Sequence, residues 1–144
     1  MDLLKECLHL RDKIRDVDEQ IEEIKAILYY PKCQDLSGMP KGEGSGESII
    51  DKLITKKGKL EKKKAETEKQ LNTKWLDVER ICSNAHISKT NIKLMMFRYY
   101  YGLPWKAVRN KMCDYTKQEW NENKIFCVHH NVLCKINNEI DKSA

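Results

Sequence analysis

Long apolar runs, proline and aromatic side chains are all scarce in this sequence of 144 residues. The longest stretch without Asp, Glu, Lys or Arg is Ile125–Cys134, and it contains two histidines. Because a membrane-spanning helix needs about 20 apolar residues, we expect a soluble chain with no membrane contact. Aromatic residues make up 8 % of the chain and hydrophobic residues 40 %. This composition favours one ordinary domain or two small ones, and it argues against a large enzyme with a bound cofactor.

A basic leader segment is also missing. The first residues, Met1–Glu6, place an acid where a secretory signal carries positive charge, and no small-residue cleavage site follows. We therefore expect a cytoplasmic protein. In a reducing compartment, its cysteines are interpreted as small apolar fillers or free thiols rather than as disulfides. The six cysteines are Cys7, Cys33, Cys82, Cys113, Cys127 and Cys134.

Positive charge is concentrated in one half of the chain. Residues 1–85 carry 17 basic and 17 acidic side chains, whereas residues 86–144 carry 10 basic and 5 acidic ones. The C-terminal part therefore supplies the whole net charge of +5. This asymmetry predicts a structural N-terminal part and a C-terminal part that binds an anion.

Apolar residues recur at alternating spacings of three and four along residues 3–28. This is the seam of a coiled coil and predicts a first helix that ends before Pro31, since proline disfavours the helical conformation of the residue before it. Residues 31–47 are rich in glycine and proline and are predicted to form a flexible connector. The seam residues are Leu3, Cys7, Leu10, Ile14, Val17, Ile21, Ile24 and Leu28.

A second long helix is predicted from an N-cap at Ser48 to about residue 85. It would form an antiparallel hairpin with the first helix. Its own seam is interrupted by Lys57, Lys64, Thr67 and Lys74. We therefore expect the second helix to leave part of the first uncovered, so that a second copy of the chain or another protein covers the remainder.

The C-terminal part is predicted to be a helix-turn-helix domain, residues 86–144, following the coiled-coil hairpin of residues 1–85. Ser88 caps a helix that ends at Gly102, and a short helix follows from Pro104, as its first residue, to Met112. Cys113–Thr116 is the expected break, and a last helix runs from about Glu119 to Ile140. The fold class is thus all-α.

The last helix has two contrasting faces at about 100° per residue. One face is apolar and includes Phe126 and Ile140, together with His129, which is interpreted as a core histidine. The opposite face is polar and nearly free of acids. Amides, imidazoles and lysines can hydrogen-bond to base edges and phosphates, which favours double-stranded DNA as the partner. The polar face contains Asn123, Lys124, Cys127, His130, Asn131, Cys134, Lys135 and Asn138.

Two segments carry a resemblance to a known family. Residues 95–108, MMFRYYYGLPWKAV, resemble the run LxLRYxxGLSWxEIA of sigma factor region 4, and residues 130–136, HNVLCKI, resemble the end of its recognition helix. With the coiled coil and the connector, the chain resembles phage and mobile-element transcriptional regulators of the RinA/ArpU type. It departs from them at Ala107–Arg109, and by about six additional residues between Met112 and Asn121 relative to a compact turn.

The resemblance implies a sequence-specific transcriptional regulator of a phage or integrated element. It would lie in the cytoplasm of a bacterial host and act with host RNA polymerase, without a catalytic site, and a homo-oligomer through the coiled coil is expected. The supporting helix would be Pro104–Met112 and the recognition helix Asn121–Ile136. The predicted DNA-binding residues are Lys106, Arg109, Lys111, Lys117, Asn121, Asn123, Lys124, Cys127, His130, Asn131 and Lys135.

Several alternatives stay open at this level. A small terminase-like DNA-packaging protein also joins these two modules, although typically in the reverse order. A coiled-coil interaction module without DNA binding is the other alternative. A zinc site is disfavoured because Cys127 and Cys134 lie about 10 Å apart along the helix. A nucleophilic pair of Cys127 and His130 lacks an orienting acid. The tyrosines 99–101 are interpreted as packing residues, and the lysines of residues 56–64 as a solvated face.

Overall fold

The structure is a computed structural model that describes residues 2–29 and 48–143. Within these ranges it contains helices and turns but no strand, which confirms the all-α fold class. No helix of the described part has both the length and the apolar character needed to cross a membrane. The predicted connector, residues 31–47, lies outside the described residues. The helices are α1 (Asp2–Tyr29), α2 (Ile49–Asn84), α3 (Lys89–Met95), α4 (Trp105–Thr116) and α5 (Glu122–Ser143), and a π-helical segment, Met96–Tyr100, follows α3.

Two predicted caps are present. The Ser48 hydroxyl accepts a hydrogen bond from the Asp51 N–H at 3.1 Å, and the Ser88 hydroxyl accepts one from the Asn91 N–H at 3.3 Å. Each serine satisfies a donor that the first turn of its helix leaves unpaired. The helices α2 and α3 accordingly begin at the residues after these two serines.

The chain divides into two compact units. The smaller unit comprises Lys13–Glu68, and the larger unit comprises Met1–Asp12 together with Lys69–Ala144. These boundaries differ from the predicted division at residue 85. The difference arises because residues near the start of α1 and in the second half of α2 contact the C-terminal helices.

In the smaller unit, the seam of α1 is buried against α2. Ile14, Val17, Ile21 and Ile24 are each at most 5 % exposed. The Lys64 ammonium lies 2.6 Å from the Asp18 carboxylate. The hydrogen bond to this carboxylate is the main cause of the raised pKa of Lys64.

Nearer the end of α1, the Lys57 ammonium lies 3.4 Å from the Tyr29 hydroxyl. The two contacts of the smaller unit, Tyr29 with Lys57 and Asp18 with Lys64, show that the α1 and α2 segments of this unit run antiparallel.

The larger unit is organised around Tyr100 of the π-helical segment. Its carbonyl oxygen accepts a hydrogen bond from Arg11 Nε at 2.6 Å, and its ring centre lies 5.7 Å from that of Trp75. Its hydroxyl donates to the side-chain oxygen of Asn72. A single tyrosine therefore connects α1 and α2 to the C-terminal helices, in agreement with the interpretation of this tyrosine as a packing residue.

The expectation that α2 leaves part of the α1 seam uncovered is wrong. Lysines at seam positions of α2 lie with most of the side chain buried while the ammonium reaches an acid. The side chains of Lys57, Lys64 and Lys74 are 20, 32 and 39 % exposed, and their partners are Glu61, Asp18 and Glu6. The seam residues Cys7, Leu10, Ile14, Val17, Ile21 and Ile24 are at most 8 % exposed within one chain, whereas Leu3 and Leu28, at the two ends of the seam, are half-buried.

The turn from α2 to α3 is formed by a residue in the left-handed conformation. His86 has φ 58°, its N–H donates to the Ser83 carbonyl at 3.1 Å, and the next N–H, of Ile87, donates to the Cys82 carbonyl at 3.0 Å. This is the Schellman arrangement, in which glycine usually occupies the left-handed position. Ile87 is 7 % exposed and fixes the direction in which the chain enters the C-terminal helices.

Candidate nucleic-acid interface

The start of α4 is held by the turn that precedes it. Gly102 has φ 67°, and the Leu103 N–H donates to the Phe97 carbonyl at 3.1 Å. The Leu103 carbonyl in turn accepts from Arg98 Nη1 at 2.8 Å. Pro104 is the N-cap residue rather than the first helical residue that was predicted, and its carbonyl accepts the Val108 N–H at 3.0 Å. The predicted helix end at Gly102 is confirmed.

The helix α4 presents two of its predicted DNA-binding residues fully to solvent. Val108 and Met112 are buried, as their spacing predicts. Lys106 and Lys111 are exposed, whereas Arg109 is half-buried. As a whole residue, Arg109 is therefore less exposed than the two lysines of the same helix.

The predicted break at Cys113–Thr116 is wrong, because these residues form the last turn of α4. No glycine or proline interrupts the helix there. The helix ends at Lys117, which has φ 59° and whose N–H donates to the Cys113 carbonyl at 2.9 Å. Much of the predicted additional length between Met112 and Asn121 is thus helix, and the link between α4 and α5 comprises residues 117–121.

Trp120 anchors this link. It is 6 % exposed, and its indole N–H donates to the Thr116 hydroxyl at 2.9 Å. Its backbone N–H donates to the sulfur of Cys113 at 3.3 Å. The Lys124 ammonium lies 4.2 Å from the Trp120 ring centre, within the range of a cation–π interaction. Trp120 lies between two helices, so the helical period of apolar residues does not identify it.

Asn121 is the N-cap of α5. Its side-chain oxygen accepts a hydrogen bond from the Lys124 N–H at 2.8 Å, and its carbonyl accepts from the Ile125 N–H at 3.1 Å. The helix accordingly begins at Glu122 instead of the predicted Glu119. The side-chain oxygen of Asn121 is engaged in the cap, so it is not free to accept a hydrogen bond from a base.

The polar face of α5 is exposed along its length. Ile125, Val132 and Ile136 are at most 2 % exposed and define the packed side of the helix. No acidic residue occurs between Asn123 and Asn138. The exposed polar residues of this stretch of α5 are Asn123, Lys124, Cys127, His130, Asn131, Cys134, Lys135, Asn137 and Asn138. The face therefore offers amides, imidazole and ammonium groups to solvent.

Two residues assigned to the apolar face are exposed instead. Phe126 is 47 % exposed and Ile140 is 37 % exposed. Phe126 lies at the margin of the packed side, where one edge of its ring meets Trp105 with 5.5 Å between the ring centres. Ile140 lies in the last turns of α5, where burial decreases.

His129 joins α5 to the preceding helices. Its Nε2 lies 2.7 Å from the Tyr99 hydroxyl, and its ring stacks on Tyr99 with 5.8 Å between the ring centres. The Trp105 ring meets it edge-on at 4.8 Å. Burial, with the nearby charges of Arg98 and His130, lowers the pKa of His129. The interpretation as a packed histidine agrees with these contacts, whereas its partner was not identified from the sequence.

The five thiols of the larger unit differ in burial, and Cys113 is half-buried. Cys7 and Cys82 are fully buried, and burial raises the pKa of each to about 11. Cys127 and Cys134 are exposed, and the Cys134 sulfur lies 3.6 Å from His130 Nε2. The described residues contain no group of three or more His, Cys, Asp or Glu side chains placed to hold a metal ion. Cys33 lies outside the described residues.

Comparisons with protein-family models, with curated protein sequences and with solved structures returned no match to this chain.

Proposed function

We propose that this chain is a sequence-specific DNA-binding protein, and that it regulates transcription for a phage or integrated mobile element. In this proposal, residues 1–85 form an antiparallel coiled-coil hairpin and residues 86–144 a helix-turn-helix domain. The helix α4 supports the motif and α5 enters the major groove. The proposal contains no catalytic step and no cofactor.

The observation that carries this proposal is the exposed face of α5 between Asn123 and Asn138, which contains no acid. A recognition helix needs one packed side and one side on which donors and acceptors are available to base edges. Ile125, Val132 and Ile136 provide the packed side. Asn123 and Asn131, eight residues apart on the exposed side, have amide groups that can bind adenine with two hydrogen bonds.

Phosphate contacts are assigned to exposed cations on both helices and on the link between them. Lys106, Lys111, Lys117, Lys124 and Lys135 are all exposed. Neutralising phosphates releases counterions from DNA, and this gives most of the affinity for any sequence. The half-buried Arg109 and the capping residue Asn121 have smaller roles in the proposed interface than the sequence indicated.

The regulatory role rests on the resemblance of residues 95–108 and 130–136 to sigma factor region 4. From the same resemblance we propose a location in the bacterial cytoplasm and host RNA polymerase as a second partner. Self-association through the coiled coil stays a prediction, although its original reason, an uncovered apolar seam, no longer holds.

The experiment is a binding titration of the full chain against duplex DNA at several salt concentrations, followed by selection of preferred sequences from a random duplex pool. For several phosphate contacts we expect the logarithm of the affinity to fall with log salt at a slope of roughly −3 to −6. Enrichment of one sequence family supports regulation. A slope near zero, or absence of binding, would contradict DNA binding and favour a protein-interaction module.

A further inference from the structure

One exposed face of α2 carries four lysines in a row. Lys52, Lys56, Lys59 and Lys63 are spaced by four, three and four residues, so at about 100° per residue they lie within an arc of about 60°. All four are exposed. The spacing extends the row over about 16 Å of helix. We call these four residues the lysine row.

The lysine row differs from the lysines that lie nearer α1. Lys57 pairs with Glu61 at 3.1 Å and Lys64 with Asp18 at 2.6 Å. None of the four lysines of the row has an acidic partner among the residues that the structure describes. The acids nearest to the row on α2 are Asp51, Glu61 and Glu66. Glu61 is engaged by Lys57, and neither of the other two lies within ion-pair distance of a lysine of the row. Like charges three and four residues apart on a helix repel each other, so the row favours an anionic partner.

The surroundings of the row are open. A side chain added at Gly58, roughly 130° around the helix from the row, would meet no atom within 4 Å, so the neighbouring face of α2 is open as well. A flat, extended anion such as a nucleic-acid backbone can therefore approach over the whole length. A backbone that carries one phosphate for every 3.4 Å of duplex axis along each strand supplies enough charge to engage all four lysines.

A membrane surface fits the row less well than DNA. A helix that lies on a membrane combines a basic face with a continuous apolar face that enters the lipid. Ile49, Ile50 and Ile54, at the start of α2, are 41, 44 and 54 % exposed. From Thr55 to Lys63, however, no large apolar side chain is exposed. Leu53 and Leu60 are half-buried and not available to lipid.

We propose that the lysine row is a second, sequence-independent contact to the phosphate backbone of duplex DNA, separate from the recognition surface of α5. This inference rests on the proposed DNA-binding function and adds to it a site in the smaller unit. The row would raise the affinity for every sequence equally, because phosphates carry no sequence information. Specificity would stay with the side chains of α5.

The test compares two charge-matched variants of the full chain by fluorescence anisotropy on one duplex of about 40 base pairs over a range of salt concentrations. Glutamine is used because its helix propensity is close to that of lysine. Circular dichroism first verifies that both variants keep the helical content of the unmodified chain. The row variant carries Lys52→Gln, Lys56→Gln, Lys59→Gln and Lys63→Gln. The control carries Lys5→Gln, Lys13→Gln, Lys69→Gln and Lys142→Gln, all exposed and without an acidic partner among the described residues.

Each phosphate contact contributes about −0.9 to the log–log salt slope, so the row should add about −3 to −4 to the slope of roughly −3 to −6 expected from the contacts of α4, α5 and their link. The row variant should lose this addition, while the control changes by less than about 1. The sequence preference of both variants should equal that of the unmodified chain. Equal slopes for row variant and control would overturn the inference and leave the proposed function intact. The inference would also be overturned if the row variant bound vesicles of anionic lipid less well than the unmodified chain but showed the same salt slope on DNA. If the unmodified chain binds no duplex, the proposed function fails, and the inference fails with it.

Discussion

The Tyr99 hydroxyl and His129 Nε2 lie 2.7 Å apart and join the π-helical segment to α5. The two rings also stack, with an interplanar angle of 18°. A neutral imidazole can accept the hydroxyl hydrogen at Nε2, whereas a protonated one carries a hydrogen there. Protonation of His129 would therefore change the hydrogen bond between the π-helical segment and α5.

The first prediction concerns pH. Because the pKa of His129 is lowered in the folded protein, the unfolded chain binds the proton more readily. Neutral His129 thus makes its full contribution to the free energy of unfolding above the ordinary histidine pKa of about 6.5. This contribution is lost as the pH falls below that value. Urea unfolding at a series of pH values should show this loss. His129→Gln should remove most of it, while His130→Gln, at an exposed position, serves as the control. An equal pH dependence in His129→Gln and the unmodified chain would contradict this assignment.

The second prediction concerns the cap of α5. Asn121→Ala should lower the free energy of unfolding by about 1 kcal/mol, because the Lys124 N–H loses its acceptor. Asn121→Asp should keep the stability, since aspartate caps as well as asparagine. Chemical denaturation followed by circular dichroism measures both variants. If Asn121→Ala kept its stability but lost sequence preference in DNA binding, the result would contradict the cap and support the predicted role of Asn121 as a DNA-binding residue.

The third prediction concerns thiol reactivity. Cys7 and Cys82 are fully buried with pKa values raised to about 11, so neither forms the reactive thiolate at neutral pH. Cys127 and Cys134 are exposed. Alkylation of the native protein, mapped by peptide mass spectrometry, should modify the two exposed cysteines first and the two buried ones only after denaturation. Early modification of Cys7 or Cys82 would show that this part of the larger unit opens readily.

Much of the helical arrangement follows from local sequence signals. The apolar period of α1, the serines before α2 and α3, and Gly102 each act within a few residues, so a sequence pattern is sufficient to identify them. The exposed face of α5 follows from its periodicity in the same way. The resemblance to sigma factor region 4 is the basis of the functional prediction, but it predicts none of the side-chain contacts described above.

Other features depend on partners that are distant in the sequence. The Tyr99–His129 pair spans thirty residues, and the position of Trp120 depends on a hydroxyl of α4. The length of α4 was underestimated because a left-handed lysine, Lys117, ends the helix where glycine is usual. The cap at Asn121 is recognisable in the sequence, since asparagine followed by a glutamate precedes an apolar run, but Asn121 was predicted as a DNA-binding residue instead.

The burial of the α1 seam was underestimated for a different reason. Lysine was treated as a wholly polar residue, whereas most of the Lys57 side chain is buried. Its methylene groups can cover apolar surface while the ammonium reaches an acid. Counting lysines at seam positions as gaps therefore overstates the apolar area that a second chain must cover.

The last prediction separates a seam closed within one chain from a seam shared between chains. Ile14 and Ile21 are 2 and 4 % exposed in a single chain, so Ile14→Asp with Ile21→Asp buries two carboxylates without partners. We expect the helices of the smaller unit to unfold in this variant at every protein concentration. Ile27→Asp, at a position already 46 % exposed, should leave the fold unchanged and serves as the control. Circular dichroism and sedimentation measure the outcome over a hundredfold dilution. If folding is linked to dimerisation, this dilution lowers the free energy of unfolding by roughly 2.7 kcal/mol. An unfolding midpoint of the unmodified chain that falls with dilution would show that copies share the seam, and would restore the dimer that the sequence predicted.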